Sequence, residues 1–366
     1  MDPVSTQTWA PATAAPQAPT GKLASLMMPL SKERRVLKPV KATVTSNGTV
    51  RFDFPENFVG VTRLDAAALA PAFGVKTSTA NFTVKHCELY NKTTQNNLCH
   101  WTGQHDSFLN VPLSSSTAPQ LVGTFTWHGF QYAELSVDGH SATTASVAAV
   151  KNILETVVGV QVVTDITQTG MVSFESGHIL NDIQRLVTNG QRSNVAQYIP
   201  TDCPTREKHG WLGDAQVTAE EAMLNFDMAP IYHNFLNIIR DLQAPAGTKK
   251  AGDVAGVVPG KSLAADYSYG VGPDGITDIS WSAAYPLIAR WMMKYYDDKT
   301  IVEDHYPSIA AFMDDLITHA IKGNATTGGL VRTGRTTMPC QIYYIQYLFA
   351  GMYVTSAPCR ILIRNS

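Results

Sequence analysis

Residues 199–216 read IPTDCPTREKHGWLGDAQ. Asp202, Arg206, Glu207, Trp211 and Asp214 fall within thirteen positions of a chain that is only 16% charged, against roughly 25% in an ordinary globular protein. Pro200 and Pro204 bar a regular helix around them, and Gly210 and Gly213 permit a tight path. The stretch is therefore expected as an irregular loop running into a helix that begins near Ala215. If Asp202, Glu207 and Asp214 face one cavity, repulsion and burial raise the pKa of at least one, giving a carboxyl able to donate a proton near neutrality. Protonation of a glycosidic oxygen requires such a group. Arg206 can pair with a neighbouring carboxylate, and Trp211 offers an apolar face of the kind that stacks on sugar C–H groups. The same residues also have a structural reading, with Asp202 and Asp214 as helix caps, Arg206 in an ion pair and Trp211 in the core. Cys203 reads as a small buried filler, since no His or Asn partner is placed to activate it.

Upstream, from about residue 36 to 145, the periodicity is two. TVRFDF, FTVKHCELY and GTFTWHGFQYAELSV, with VVGVQVV a little later, are broken by Asn, Gly, Pro and Ser clusters, which predicts an antiparallel β-sandwich. After about residue 175 the period becomes helical. Ile179, Ile183, Leu186 and Val187 form one stripe, and residues 215–226 continue as helix. Asp227 can cap a further helix that tolerates Pro230 in its first turn and buries Ile231, Phe235, Ile238, Ile239 and Leu242. Helices are also expected over 281–296 and from Pro307 to Gly323. Glu220 and Glu221 read as solvated, and His233, Asn237 and Asp241 as a wet helix face. Residues 1–26 are expected as a leader, because the first twenty are rich in Pro, Ala and Thr.

Lys plus Arg is 28 against 30 for Asp plus Glu, and no basic run exceeds KERR at 32–35, which argues against a nucleic-acid partner. A neutral polar ligand such as a sugar suits this composition. The five cysteines, Cys87, Cys99, Cys203, Cys340 and Cys359, lack zinc spacing, so no metal is expected. A bridge between Cys87 and Cys99 is left open. No apolar run reaches the roughly 18 residues of a membrane span, so no membrane partner is expected. Asn47, Asn81, Asn91 and Asn324 begin sequons that matter only in a secretory pathway.

With these residues in hand, PTDCPTREKHGWLGDAQ resembles the signature of the bacterial-type α-L-rhamnosidases of glycoside hydrolase family 78. The resemblance extends upstream through residues 27–64 and FESGHILNDIQRLVTNGQRSNV, and downstream through NFDMAPIYHNFLNIIRDLQ, GDVAGVVP and DISWSAAYPLIARWMMKYYDD, covering about residues 27–325. It implies a multidomain β plus α protein: a β-sandwich over 27–170, then the N-terminal part of an incomplete (α/α)6 barrel of the six-hairpin glycosidase type over 171–330. Residues 331–366 form a divergent tail, and a partial chain is expected.

The resemblance further implies inverting hydrolysis of terminal α-L-rhamnose from glycosides or polysaccharides, without cofactor. Glu207 would be the general acid, with Asp202, Arg206, Trp211 and Asp214 forming the rhamnose subsite and Asp278 and Trp281 adding sugar contacts. Inversion needs a second carboxylate roughly 6.5–9.5 Å away. In the family that base is a glutamate late in the barrel, beyond where this chain stops. The alternatives are a rhamnose-binding remnant without turnover, and an (α/α)6 glycosidase for another sugar. An open barrel is expected to expose Leu287, Trp291 and Tyr295.

Overall fold

The computed structural model describes residues 25–98, 104–114, 120–195, 199–244, 246–247, 251–259 and 279–315, together with positions 11, 13 and 14. The period-two segments form β1 (Ser31–Leu37), β2 (Lys41–Val44), β3 (Val50–Asp65), β4 (Thr79–Cys87), β5 (Leu89–Tyr90), β6 (Asn97–Leu98), β7 (His105–Pro112), β8 (Gln120–Val122), β9 (His128–Val137) and β10 (Val157–Thr164). Two short helices, α1 (Ala66–Leu69) and α2 (Thr144–Ala149), interrupt them. Among the described residues, eight strands make one antiparallel sheet in the order β1-β10-β3-β9-β4-β7, with β2 and β8 also paired to β3.

The sheet curls because β3 bends. Residues 50–53 lie between β2 and β9, whereas 60–64 pair with β10, and the register against β9 slips between Asp53 and Phe58. Pro55 sits in that slip, where its missing N–H costs the ladder nothing, and a bulge of this kind bends and twists a strand. The bend wraps the sheet around Phe54, Phe58 and Phe130, all at most 1% exposed, with ring centroids 4.4–5.6 Å apart. Burial of each such ring contributes about 1.5–3 kcal/mol. Cys87 is disulfide-bonded, while Cys99 lies outside the described residues.

The helical half contains α3 (Ile179–Ser193), α4 (Leu212–Asn225), α5 (Ala229–Leu242), α6 (Ile279–Ser282), α7 (Ala284–Tyr296) and α8 (Lys299–Asp315). Ile231, Phe235 and Ile239 of α5 are fully buried, with Ile238 and Leu242 packed at the edge of the same core. Pro230 sits in the first turn, and Met228 takes the cap position; the Asp227 carboxylate accepts from Ala229 N at 3.4 Å.

Several expectations are corrected. Helix α8 opens at Lys299 rather than Pro307, because Asp298 Oδ1 accepts from Ile301 N (3.2 Å) and Thr300 Oγ1 (2.6 Å) and so caps it there. Pro307 lies inside this helix, and burial of Ile301, Ile309 and Phe312 on one face offsets the lost i to i−4 bond. The expected end at Gly323 lies outside the described residues. Leu287 is buried, and Trp291 and Tyr295 are partly buried, because α7 packs against α4, α5 and α8 together. Exposed apolar side chains on the helices instead include Ile179, Ile183 and Leu186 on α3 and Val217 and Leu224 on α4. Glu220 is not simply solvated: it accepts from Lys294 Nζ (2.8 Å) and the Tyr295 hydroxyl (2.5 Å), linking α4 to α7. Glu221 is partly buried, which raises its pKa. His233 lies 2.7 Å from Asp298 Oδ2 and ties α5 to the start of α8.

Candidate active site

The loop before α4 is closed on itself. Asp202 N donates to His209 O at 3.0 Å, and Asp202 Oδ1 accepts from His209 N at 2.9 Å, so the ends of the 202–209 segment are pinned twice. Cys203 Sγ, a free thiol, lies 3.4 Å from Asp202 Oδ2. On the far side Gly210 and Leu212 are stitched to residues 256–258 by Val258 N to Gly210 O and Leu212 N to Gly256 O, both 2.9 Å. A Cβ on Gly210 would fall 1.9 Å from Val258 O, so only glycine fits that seam. Helix α4 then starts at Leu212, three residues earlier than expected, with Trp211 at its cap position.

These constraints gather the candidate residues. Glu207 Oε2 accepts from Trp211 Nε1 at 2.6 Å, and Glu207 Oε1 lies 3.1 Å from Arg206 Nη2. Two donors, one per oxygen, fix the plane of the Glu207 carboxyl. Its side chain stays 33% exposed, so the group is both held and reachable. Asp214 occupies the first turn of α4. Burial pushes its pKa above the usual carboxylate value; a backbone hydrogen bond opposes the rise, and the charges of Asp202 and Glu207 add to it. The perturbed carboxyl anticipated from the clustering is therefore Asp214. Trp281, distant in sequence, arrives from α6 and lies flat on Gly213, where a Cβ would sit 2.5 Å from its Cε2. Among the described residues its buried Nε1 has no acceptor, which leaves a donor at the edge of the cluster. Asp278 lies outside the described residues.

The sequence reading missed the floor of the site, which the β-sheet supplies. Lys208, at a left-handed φ of 58°, donates from Nζ to Trp127 O at 2.5 Å and lies 4.7 Å from the centre of the Trp127 ring. Gly129 N donates to Pro204 O at 3.2 Å, and a Cβ on Gly129 would strike Pro204 Cγ at 2.6 Å. Behind this seam, His128 Nε2 lies 2.9 Å from Asp106 Oδ1, and His86 stacks on His128 with centroids 4.2 Å apart and planes at 10°. The ligand atoms of His86, Asp106 and His128 lie within 4.8 Å of one another, a donor set that a metal ion could use. The stacking disfavours that use: the lone pairs of parallel rings lie in separate planes, and one ion cannot lie in both. Burial, with His128 and Lys208 nearby, keeps the His86 pKa well below the ordinary value. A segment TWHGF that also reads as strand gave the sequence no signal for this floor.

A carboxyl held by an indole and a guanidinium, beside two further carboxyls and a second indole, is equipment of the kind glycoside hydrolases use. Residues 167–331 match the bacterial α-L-rhamnosidase six-hairpin glycosidase domain. An α-L-rhamnosidase of Formosa agariphila is 30% identical over 185 residues, covering 50% of this chain and 18% of that relative. The solved α-L-rhamnosidase of Dictyoglumus thermophilum superimposes with a TM-score of 0.69 at 26% identity, covering 91% of this chain and 35% of that one. The Streptomyces avermitilis α-L-rhamnosidase, solved with L-rhamnose, shares the fold with a TM-score of 0.68 at 21% identity, over 91% of this chain and 29% of that one. The chain thus spans less than a fifth of the Formosa relative and about a third of the two solved ones.

Proposed function

We propose that this chain carries the acid half of an α-L-rhamnosidase site, which hydrolyses terminal α-L-rhamnose from glycosides or polysaccharides with inversion. The observation that carries the reading is the Glu207 carboxyl, held by Trp211 and Arg206 inside the segment that matches the family. Glu207 is the general acid that protonates the departing glycosidic oxygen. Asp202, Asp214, Arg206 and Trp211 bind the sugar ring from the loop side, Trp281 binds it from the α6 side, and Asp278 adds a further sugar contact. Protonation and electrostatic support of an oxocarbenium-like transition state need only side chains. Neither Asp202 nor Asp214 is assigned the water-activating role that inversion requires. The same reading divides the chain into a β-sandwich over 27–170 and part of an (α/α)6 barrel over 171–330.

The test is hydrolysis of an aryl α-L-rhamnoside by the purified chain, with Glu207→Gln as control and L-rhamnose binding followed by calorimetry. Turnover abolished by the substitution supports the assignment. Saturable L-rhamnose binding without turnover identifies a sugar-binding module, and neither binding nor turnover rejects the rhamnose reading.

A further inference from the structure

Glu207 is oriented by Trp211 and Arg206, and the segment that carries all three is fixed at its Gly210–Leu212 end by residues 256–258. The β-sheet fixes its other end at two independent points. At the first, the Lys208 side chain spans the seam. Its ammonium donates to Trp127 O at 2.5 Å and rests 4.7 Å from the centre of the Trp127 ring, and the charge of Asp106 offsets part of the desolvation that lowers the lysine pKa. Asp106 is itself fixed by His128 at 2.9 Å, and His128 begins β9. At the second point, Gly129 N donates to Pro204 O, while Gln104 brackets the same glycine, accepting from its N–H at 3.2 Å and donating to its carbonyl at 3.3 Å. A side chain at 129 would push Pro204 and Thr205 away. Lys208 directly follows Glu207, and its left-handed backbone sends the two side chains to different duties.

We propose that Lys208 is a positioning residue for Glu207: by docking its ammonium on the carbonyl and ring of Trp127 it uses the β-sheet as the fixed frame against which the acid is aimed. This rests on Glu207 being the general acid. The β-domain is then part of the active site without touching substrate.

The reporter is the Trp211 indole, whose N–H is bound to Glu207. In a proton–nitrogen correlation spectrum of the labelled protein, its indole signal is assigned by its loss in Trp211→Phe. Lys208→Met is expected to move that signal toward the position it takes in Glu207→Gln, and Lys208→Arg to restore it. Gly129→Ala, which opens the same seam at its other contact, is expected to move it in the same direction and decides the matter if Lys208→Met does not fold. An indole signal that stays at the parent position in folded Lys208→Met or Gly129→Ala overturns the proposal. Kinetics supply the second readout. Lys208→Met should reduce kcat for an alkyl α-L-rhamnoside, which needs protonation, about tenfold more than for a rhamnoside of an acidic phenol, with KM little changed. Equal losses on both would mark a structural role only and overturn it. If the parent neither turns over an α-L-rhamnoside nor binds L-rhamnose, the rhamnosidase reading fails by itself and the indole signal alone decides whether Lys208 positions Glu207.

Discussion

Trp211 Nε1 donates to Glu207 Oε2 across 2.6 Å, with the Gly210 seam between the two residues in sequence. The bond makes the indole an orienting group for the Glu207 carboxyl. Trp211→Phe keeps a smaller aromatic face and removes the donor. One such bond is worth about 0.5–1.5 kcal/mol net, or roughly a two- to tenfold effect. Turnover of an alkyl rhamnoside should fall by that factor while L-rhamnose binding measured by calorimetry is largely kept; loss of binding with turnover per bound sugar unchanged would contradict the orienting role.

Asp214 gives a pH signature. Its folded-state pKa is raised, chiefly by burial, so its contribution to stability is complete below the usual carboxyl value near 3.8 and is lost as pH rises through the folded value. Asp214→Asn removes the charge that burial penalises. The variant should melt above the parent at pH 7 and level with it near pH 3, while sugar binding weakens. Melting curves at the two pH values check this, and a variant that melts below the parent at pH 7 would contradict the burial assignment.

Gly213 is required by Trp281 rather than by a turn. An added Cβ would lie 2.5 Å from the indole, so Gly213→Ala must displace the ring, at a cost of about 1–3 kcal/mol. Weaker L-rhamnose binding with a shifted tryptophan emission is the expected result; unchanged binding would remove Trp281 from the subsite.

His305 predicts an acid limb in stability. It is 1% exposed, its Nδ1 lies 2.8 Å from the Tyr285 hydroxyl, and burial takes its pKa down to about 4. The unfolded chain takes up this proton near pH 6.5 and the folded chain does not. Stability present above pH 6.5 is therefore lost as pH falls toward 4, by about 3 kcal/mol. Urea unfolding at pH 7 and pH 4.5 should show a smaller difference for His305→Gln than for the parent.

How much of this the sequence could reveal depended on the range of each interaction. The 199–216 stretch revealed its irregular loop and clustered polar groups because the prolines, glycines and charged residues act on one another within a few positions, and the twofold and helical periods located β3, β9, α4 and α5. Asp298 as the cap that opens α8 eight residues before Pro307 needed only local spacing and was still overshadowed by the proline signal. Lys208 on Trp127, Gly129 under Pro204 and Trp281 on Gly213 are contacts between segments some 70 to 80 residues apart. No period or spacing encodes them. The direction of the α3 stripe was equally hidden, since Ile179, Ile183 and Leu186 have helical spacing whether they face a core or solvent.

The measurement that tests the central claim most directly is the dependence of turnover on leaving group for Glu207→Gln against the parent. If Glu207 donates the proton, kcat/KM for an alkyl α-L-rhamnoside falls by about 10²–10⁴ and that for a rhamnoside of an acidic phenol falls far less. Equal turnover of both substrates by variant and parent would contradict Glu207 as the acid.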